Sequence, residues 1–384
     1  MPPEEDARPL ANLVSRRKFL RFGGAVLGVT AVGGAGGLLD ACSKKTPTTG
    51  GSPSAGASSP AKKLKVRIAY TASAFPSIVN NRAGPLQYGP QFGLDITDND
   101  LQQFNDSSTA TQAVLSGQAD VVSGSFLSAL LLIQQGQPFK CLCSVSNGND
   151  LLMLGQGPIT SIDKVTSDQA IVAIDSPGGL INLIYNAMLA AHNINVNVES
   201  LKHTKVFGDS PPRTQSFLSK QTNVAVVHNS DLPKVDEALG KDGYTILSTL
   251  WEDVHGMVFE VMAASTDWIE KNMDVATALM KAVCTGNREL AKDYNKYKAA
   301  IDKFIPGSGL SDADLKPLWE LARKSEFWPY NGDLEDQSVT FTEQVGNNSG
   351  VLKGTMTSSQ VVDRRPLDAA LKDIGSVTVA DITA

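Results

Sequence analysis

Cysteine is scarce: four residues in a chain of 384 exclude a disulfide-stapled scaffold. Cys141 and Cys143 stand two apart on one face of an expected strand, where a bridge would be strained; they and Cys284 read as small buried thiols. Basic residues are the minority charge. Residues 1–41 hold five of the 34 basic groups (Arg8, Arg16, Arg17, Lys18, Arg21) and four of the 40 acidic ones (Glu4, Glu5, Asp6, Asp40), leaving 29 against 36 and a net −7 for the rest. An acidic body without a basic cluster argues against nucleic acid as the main partner. The four histidines (His192, His203, His228, His255) lack metal-ligand spacing, and neither an HExxH motif nor a zinc cysteine pair is present. No Walker A motif occurs, and the glycine-rich Gly33–Gly37 precedes the fold, so no dinucleotide fingerprint follows a strand. Nothing demands catalysis, a cofactor or a metal. What remains is 42% apolar and 19% charged, with 33 Gly and 19 Pro, which is globular composition. The length suits two to three domains of about 150 residues each.

The first 63 residues stand apart from the fold. Ser15-Arg16-Arg17-Lys18-Phe19-Leu20-Arg21 is followed by an apolar run, Phe22 to Leu39, and then by Leu39-Asp40-Ala41-Cys42-Ser43. A basic head, an apolar middle and a small residue before a cut site make a secretory signal. The seven glycines of the run make it a poor membrane span. The adjacent arginines resemble the twin-arginine export signal. The segment around Cys42 resembles a bacterial lipobox, which implies lipidation of Cys42 and anchoring to the outer face of the cell membrane. Asp40 departs from that pattern, which usually has a small uncharged residue there. An uncleaved N-terminal anchor is the alternative. Ser43 to Ala61 is Ser, Thr, Gly, Pro, Ala and two Lys, a flexible tether. The expected boundaries are signal 1–41 and tether 42–63.

The remainder carries an internal repeat. Residues 111–121 and 214–224 agree at six of eleven positions at an offset of 103. Each ends a helix, turns and enters an apolar run, Val121-Val122-Ser123 or Val224-Ala225-Val226-Val227. Repetition of order as well as identity predicts two similar α/β lobes. Further strands are expected at Val66–Tyr70, Phe139–Val145, Leu151–Leu154, Ala170–Ile174, Leu201–Val206 and Met257–Ala264. Helices are expected at Thr109–Ser116, Phe126–Gln135, Leu180–His192 and Arg213–Ser219, one starts at Pro76, and Thr266 to about Leu321 is largely helical. Strands alternating with helices mean open, mainly parallel sheets.

From Val66 to about Gly375 the chain resembles the substrate-binding lipoproteins of bacterial ABC importers, in the branch that binds nitrate, sulfonate, taurine and thiamine-pyrimidine precursors. The resemblance rests on Gln112–Ser125, on Ile171–Ile181 with its lead-in Ile162-Asp163-Lys164-Val165, and on Phe217–His228. It implies a two-lobed type II periplasmic binding protein fold with two crossover strands as the hinge. Lobe one would be 64–154 plus 257–384 and lobe two 155–256, with the C-terminal helices packed back on lobe one. It further implies a non-enzymatic, monomeric capture protein with a small-molecule ligand and an ABC permease partner. An exported enzyme, a pyrimidine-synthase-like relative and a ligand sensor are the rival readings.

Open α/β sheets bind ligands beyond the C-terminal ends of their strands, where helix N-termini offer free N–H groups. That rule selects Thr71, Ser73 and Phe75 after the first strand, and Ser123, Gly124 and Ser125 after the repeat strand of lobe one. In lobe two it selects Ser176, Gly178, Gly179, His228 and Asn229. Hydroxyls can donate and accept, and glycine lets backbone approach a ligand. Helix capping, tight turns and, for Phe75, core packing are the competing roles of these residues. Arg213 could meet an anionic ligand, but its expected place is a solvated helix face.

Overall fold

The computed structural model describes residues 63–383 apart from 72–78, 105–106, 148–149, 176–178, 209, 255 and 307–309. The expected signal, Cys42 as the expected lipidation site and nearly all of the expected tether lie outside the described residues.

Ten strands follow one another along the chain: β1 (Ile68–Thr71), β2 (Leu101–Phe104), β3 (Val121–Ser125), β4 (Phe139–Ser146), β5 (Leu151–Gly155), β6 (Val172–Ile174), β7 (Thr204–Val206), β8 (Val224–His228), β9 (Thr245–Thr249) and β10 (Glu260–Ser265). They form two five-stranded sheets, ordered β2-β1-β3-β10-β4 and β7-β6-β8-β5-β9. The two orders are equivalent. In each sheet three strands run parallel, an antiparallel strand follows, and the last strand restores the first direction. The two repeat segments therefore lead into corresponding strands of different sheets, β3 and β8. This is the two-lobed type II periplasmic binding protein fold.

The antiparallel strand of each sheet arrives from the other sheet. β5 follows β4 and enters the second sheet; β10 follows β9 and returns to the first. Central strands buried on both faces read as continuous apolar runs. All five residues of β5, Leu-Leu-Met-Leu-Gly, and of β8 are buried. β9 was not among the expected strands, because Tyr244–Thr249 has mixed polarity, as suits a strand at the sheet edge.

The helices that cover the sheets have apolar faces of the required period. They are α1 (Ser107–Leu115), α2 (Phe126–Gln134), α3 (Leu180–Ala191), α4 (Ser210–Leu218), α5 (Leu232–Leu239), α6 (Leu250–Asp253), α7 (Thr266–Lys271) and α8 (Met273–Lys292). In α8, Val275, Ala276, Leu279, Met280, Val283, Cys284, Leu290 and Ala291 are buried on one stripe. The C-terminal helices are α9 (Tyr294–Phe304), α10 (Asp312–Lys324), α11 (Asp336–Asn348), α12 (Ser358–Val361) and α13 (Arg365–Ile374). α12 and α13 pack on β4 of the first sheet. α11 instead contacts both α2 and α3, and so belongs to both halves.

Two expectations are corrected by the packing. Arg213 is buried, and its Nε–H donates to the Val226 carbonyl at 2.7 Å. Cys141 and Cys143 do not share a face. The β4–β10 register slips between Met262↔Cys143 and Ala263↔Cys141. The bulge puts Cys141 in the core around Phe126 and Phe139, and Leu142 and Cys143 in the core around Met280 and Cys284.

Candidate functional site

The register of the crossing strands fixes which edges of the sheets meet. β5 starts at Leu151, which pairs with His228, the last residue of β8. β10 starts at Glu260, which pairs with Ser125 at the end of β3 and with Ser146 at the end of β4. Both crossings thus join the C-terminal edge of one parallel set to the C-terminal edge of the other. From Ser146 to Leu151 an extended chain spans at most about 17 Å. The edges at which ligands bind in such sheets are held opposite each other at the hinge.

On the first edge, Thr71 is the last residue of β1 and pairs with Phe104. Ser73 and Phe75 lie outside the described residues. Ser123, Gly124 and Ser125 are strand residues rather than loop residues, because pairing with β10 carries β3 to Ser125. Ser123 is fully buried. The Ser125 N–H donates to Ser107 Oγ at 3.2 Å, tying the end of β3 to the start of α1. The Phe126 N–H donates to the Phe259 carbonyl at 2.8 Å, which fixes the same corner to the second crossing. A Cβ at Gly124 would make only ordinary contacts with Val122 and Ser107, so glycine is not required there for space.

On the second edge, Ser176 and Gly178 lie outside the described residues, whereas Gly179 is the N-cap of α3. A Cβ on Gly179 would collide with the Asp175 carboxylate. That carboxylate caps the helix, its Oδ2 accepting the Ile181 N–H at 3.2 Å. Ser176, Gly178 and Gly179 were selected as residues between a strand end and a helix; Asp175, just before them, was not.

His228 ends β8 and Asn229 follows it, beside another residue that sequence reasoning missed, Asp150. His228 Nδ1 stands 2.6 Å from Asp150 Oδ1. The Asn229 N–H donates to the Asp150 carbonyl at 2.7 Å, and the Ser230 N–H to Asp150 Oδ2 at 3.4 Å. Asp231 Oδ2 accepts from the His228 N–H at 3.4 Å and from Thr214 Oγ1 at 3.1 Å. Asp150 is 2% exposed and His228 9% exposed. Burial is the largest influence on the imidazole and opposes its charge, but Asp150 and Asp231 outweigh it, so the His228 pKa stands above its ordinary value. Asp150 sits in the first crossing, so this pair ties the hinge to the strand end. Asp150 had one signal in the sequence: it closes the Asn147–Asp150 link between two expected strands.

A cavity of about 200 Å³ adjoins Asn229 and Ser230, walled by Leu232 and Pro233 and, from the C-terminal region, by Leu310 and Pro317. Among the described residues no group of three His, Cys, Asp or Glu could hold a metal ion, and no helix is long and apolar enough to cross a membrane.

No protein-family model matches the chain, and no curated protein does. Solved structures do match. The periplasmic aliphatic sulphonate-binding protein SsuA from Escherichia coli superimposes with a TM-score of 0.59 at 12% identity, over 78% of this chain and 98% of that one. The periplasmic nitrate-binding protein NrtA from Synechocystis PCC 6803 gives 0.60 at 14% identity, over 84% and 92%. A protein from Bordetella bronchiseptica RB50 gives 0.61 at 17% identity, over 82% and 99%. At these identities the likeness is one of fold. The chain folds as the sulfonate- and nitrate-binding periplasmic proteins of ABC transporters do.

Proposed function

We propose that this protein is an extracytoplasmic solute-binding lipoprotein of an ABC importer. It captures a small polar organic solute, sulfonate-, oxyanion- or pyrimidine-like, between two lobes and delivers it to a membrane permease. Lobe one is 64–154 plus 257–384 and lobe two 155–256. The candidate contacts are Thr71, Ser73, Phe75, Ser123, Gly124 and Ser125 from one side and Ser176, Gly178, Gly179, His228 and Asn229 from the other. The protein works without catalysis, cofactor or metal, as a monomer held by lipid on Cys42. The observation that carries this reading is the pair of equivalent sheets whose strand-end edges are joined by both crossings. Such a hinge lets contacts made to both edges at once shift the population toward a closed form.

A thermal-shift screen of the full-length protein with sulfonates, oxyanions, pyrimidines and aromatic acids tests the capture role. A ligand at 100 times its Kd adds about 2.7 kcal/mol of stability. A flat response across all four classes counts against capture. Cys42→Ala tests the anchor: the variant is released from membranes or left unprocessed, while an intact mass that retains residues 1–41 in the wild type refutes cleavage.

A further inference from the structure

The cavity of about 200 Å³ beside Asn229 is built from two segments far apart in the chain. One wall is Leu232 and Pro233, where α5 begins; the other is Leu310, Pro317 and Leu318, on and just before α10. α10 also touches the Asn229–Asp231 turn directly. On the boundaries proposed above, the first wall belongs to lobe two and the second to lobe one. The cavity is then shared between the lobes and begins at a selected contact, Asn229. Ala313 and Pro317 line it and are exposed, so a solute can reach it.

Its size and lining limit what can enter. An apolar cavity of about 150 Å³ takes up benzene, so one six-membered ring fits here. No Lys, Arg or His lines the cavity, whereas Asp236 and Asp314 do. Each of these carboxylates is held by neutral donors. Asp236 Oδ1 accepts the Tyr244 hydroxyl at 2.8 Å, and Asp314 Oδ2 accepts the Ser311 N–H at 3.1 Å and its hydroxyl at 2.6 Å. An anionic group would therefore enter against two like charges with no cation on the walls. Acceptors are in surplus. Pro317 has no N–H, so α10 leaves the carbonyl of Ala313, on the same wall, without its usual helical donor. At the other end, the Asn229 amide and the Ser230 hydroxyl have no side-chain hydrogen bond among the described residues, and both can donate and accept.

We propose that the solute seats an uncharged six-membered ring bearing N–H donors in this cavity, with α10 as the wall that selects the ring and with a polar edge of the ring on Asn229 and Ser230. This rests on the capture reading above. Of the solutes named there, it selects the pyrimidine-like one over a sulfonate or an inorganic oxyanion. It assigns Ser230, Ala313 and Pro317, absent from the sequence-selected contacts, as residues that determine specificity.

The test is calorimetric titration of the full-length protein at pH 8 with three probe sets. 4-Aminopyrimidine and benzamide carry an uncharged ring and N–H donors, acetamide carries the donors without a ring, and nitrate and methanesulfonate are the anions. The wild type binds at least one of the two ring probes about tenfold or more tightly than acetamide. Ala313→Leu fills the cavity from an exposed helical position with another good helix former, and weakens that ring probe by about tenfold or more. An unchanged melting temperature without probe shows that the variant is folded. A ring probe bound equally by the wild type and Ala313→Leu overturns the cavity as its seat and leaves capture standing. Binding of nitrate or methanesulfonate in place of the ring probes overturns the uncharged-ring assignment and also leaves capture standing. Silence from every probe overturns the inference, and capture falls with it only if the four-class screen is flat as well.

Discussion

At the residue scale, the most consequential side chains of the second edge are those whose partners lie far away in sequence. His228 is tied to Asp150 across 78 positions. Its folded pKa lies above its ordinary value, so the charged ring contributes its stabilisation fully below pH about 6.5 and loses it as pH rises through the folded pKa. Asp150→Asn breaks a buried pair and should cost about 3 kcal/mol near pH 6 in denaturant titrations, with a smaller loss near pH 9. A loss that stays constant between those pH values would mean that the ring does not change its charge over that range. Gly179 makes a steric prediction. Its φ of −74° suits any residue, but a Cβ meets the Asp175 carboxylate. Gly179→Ala should destabilise by about 1–3 kcal/mol through overpacking, read from the urea midpoint at constant m-value.

At the element scale, α11 is the unexpected part. It packs on α2 and α3 together and bonds the end of the second crossing: the Val258 N–H donates to Thr342 Oγ1 at 3.0 Å in a buried setting. Thr342→Val leaves that N–H without a partner and should cost about 1–3 kcal/mol, whereas Thr342→Ser keeps the bond and should cost less. The next residue, Glu343, is buried with Oε1 unpaired and Oε2 accepting the Met356 N–H at 3.3 Å. Burial raises its pKa above the usual glutamate value. The protonated form therefore suits the fold, and its contribution is complete below the ordinary pKa and lost as pH rises through the folded one. Glu343→Gln should raise the melting temperature at pH 8 and change it little at pH 4. A drop at pH 8 would show that the ionised carboxylate has a favourable partner.

At the scale of the whole molecule, two equivalent sheets are linked at their strand-end edges by the β4–β5 and β9–β10 crossings, with α11 touching both sides and α10 touching 229–231 at the end of β8. Such a molecule can close about the links without breaking either sheet. Small-angle scattering should give a smaller radius of gyration with a saturating ligand than without it. An unchanged radius under saturation would mean that capture proceeds without lobe closure.

The sequence by itself determined the two halves, their alternation of strand and helix, and most of the strand ends where candidate residues gather. Each follows from local periodicity and from the repeat at 111–121 and 214–224, which need no knowledge of distant contacts. Ser123 and Ser125 were legible as strand-end residues but not as ladder members, because β10, which extends β3 past Ser123, lies more than a hundred positions away. Arg213 looked solvated on its helix and is buried because Val226 of β8 receives it. The partners of His228, the capping of α3 by Asp175 and the shared position of α11 depend on which surfaces meet. Pairing between distant segments is set by packing and register, and only the tertiary structure decided it.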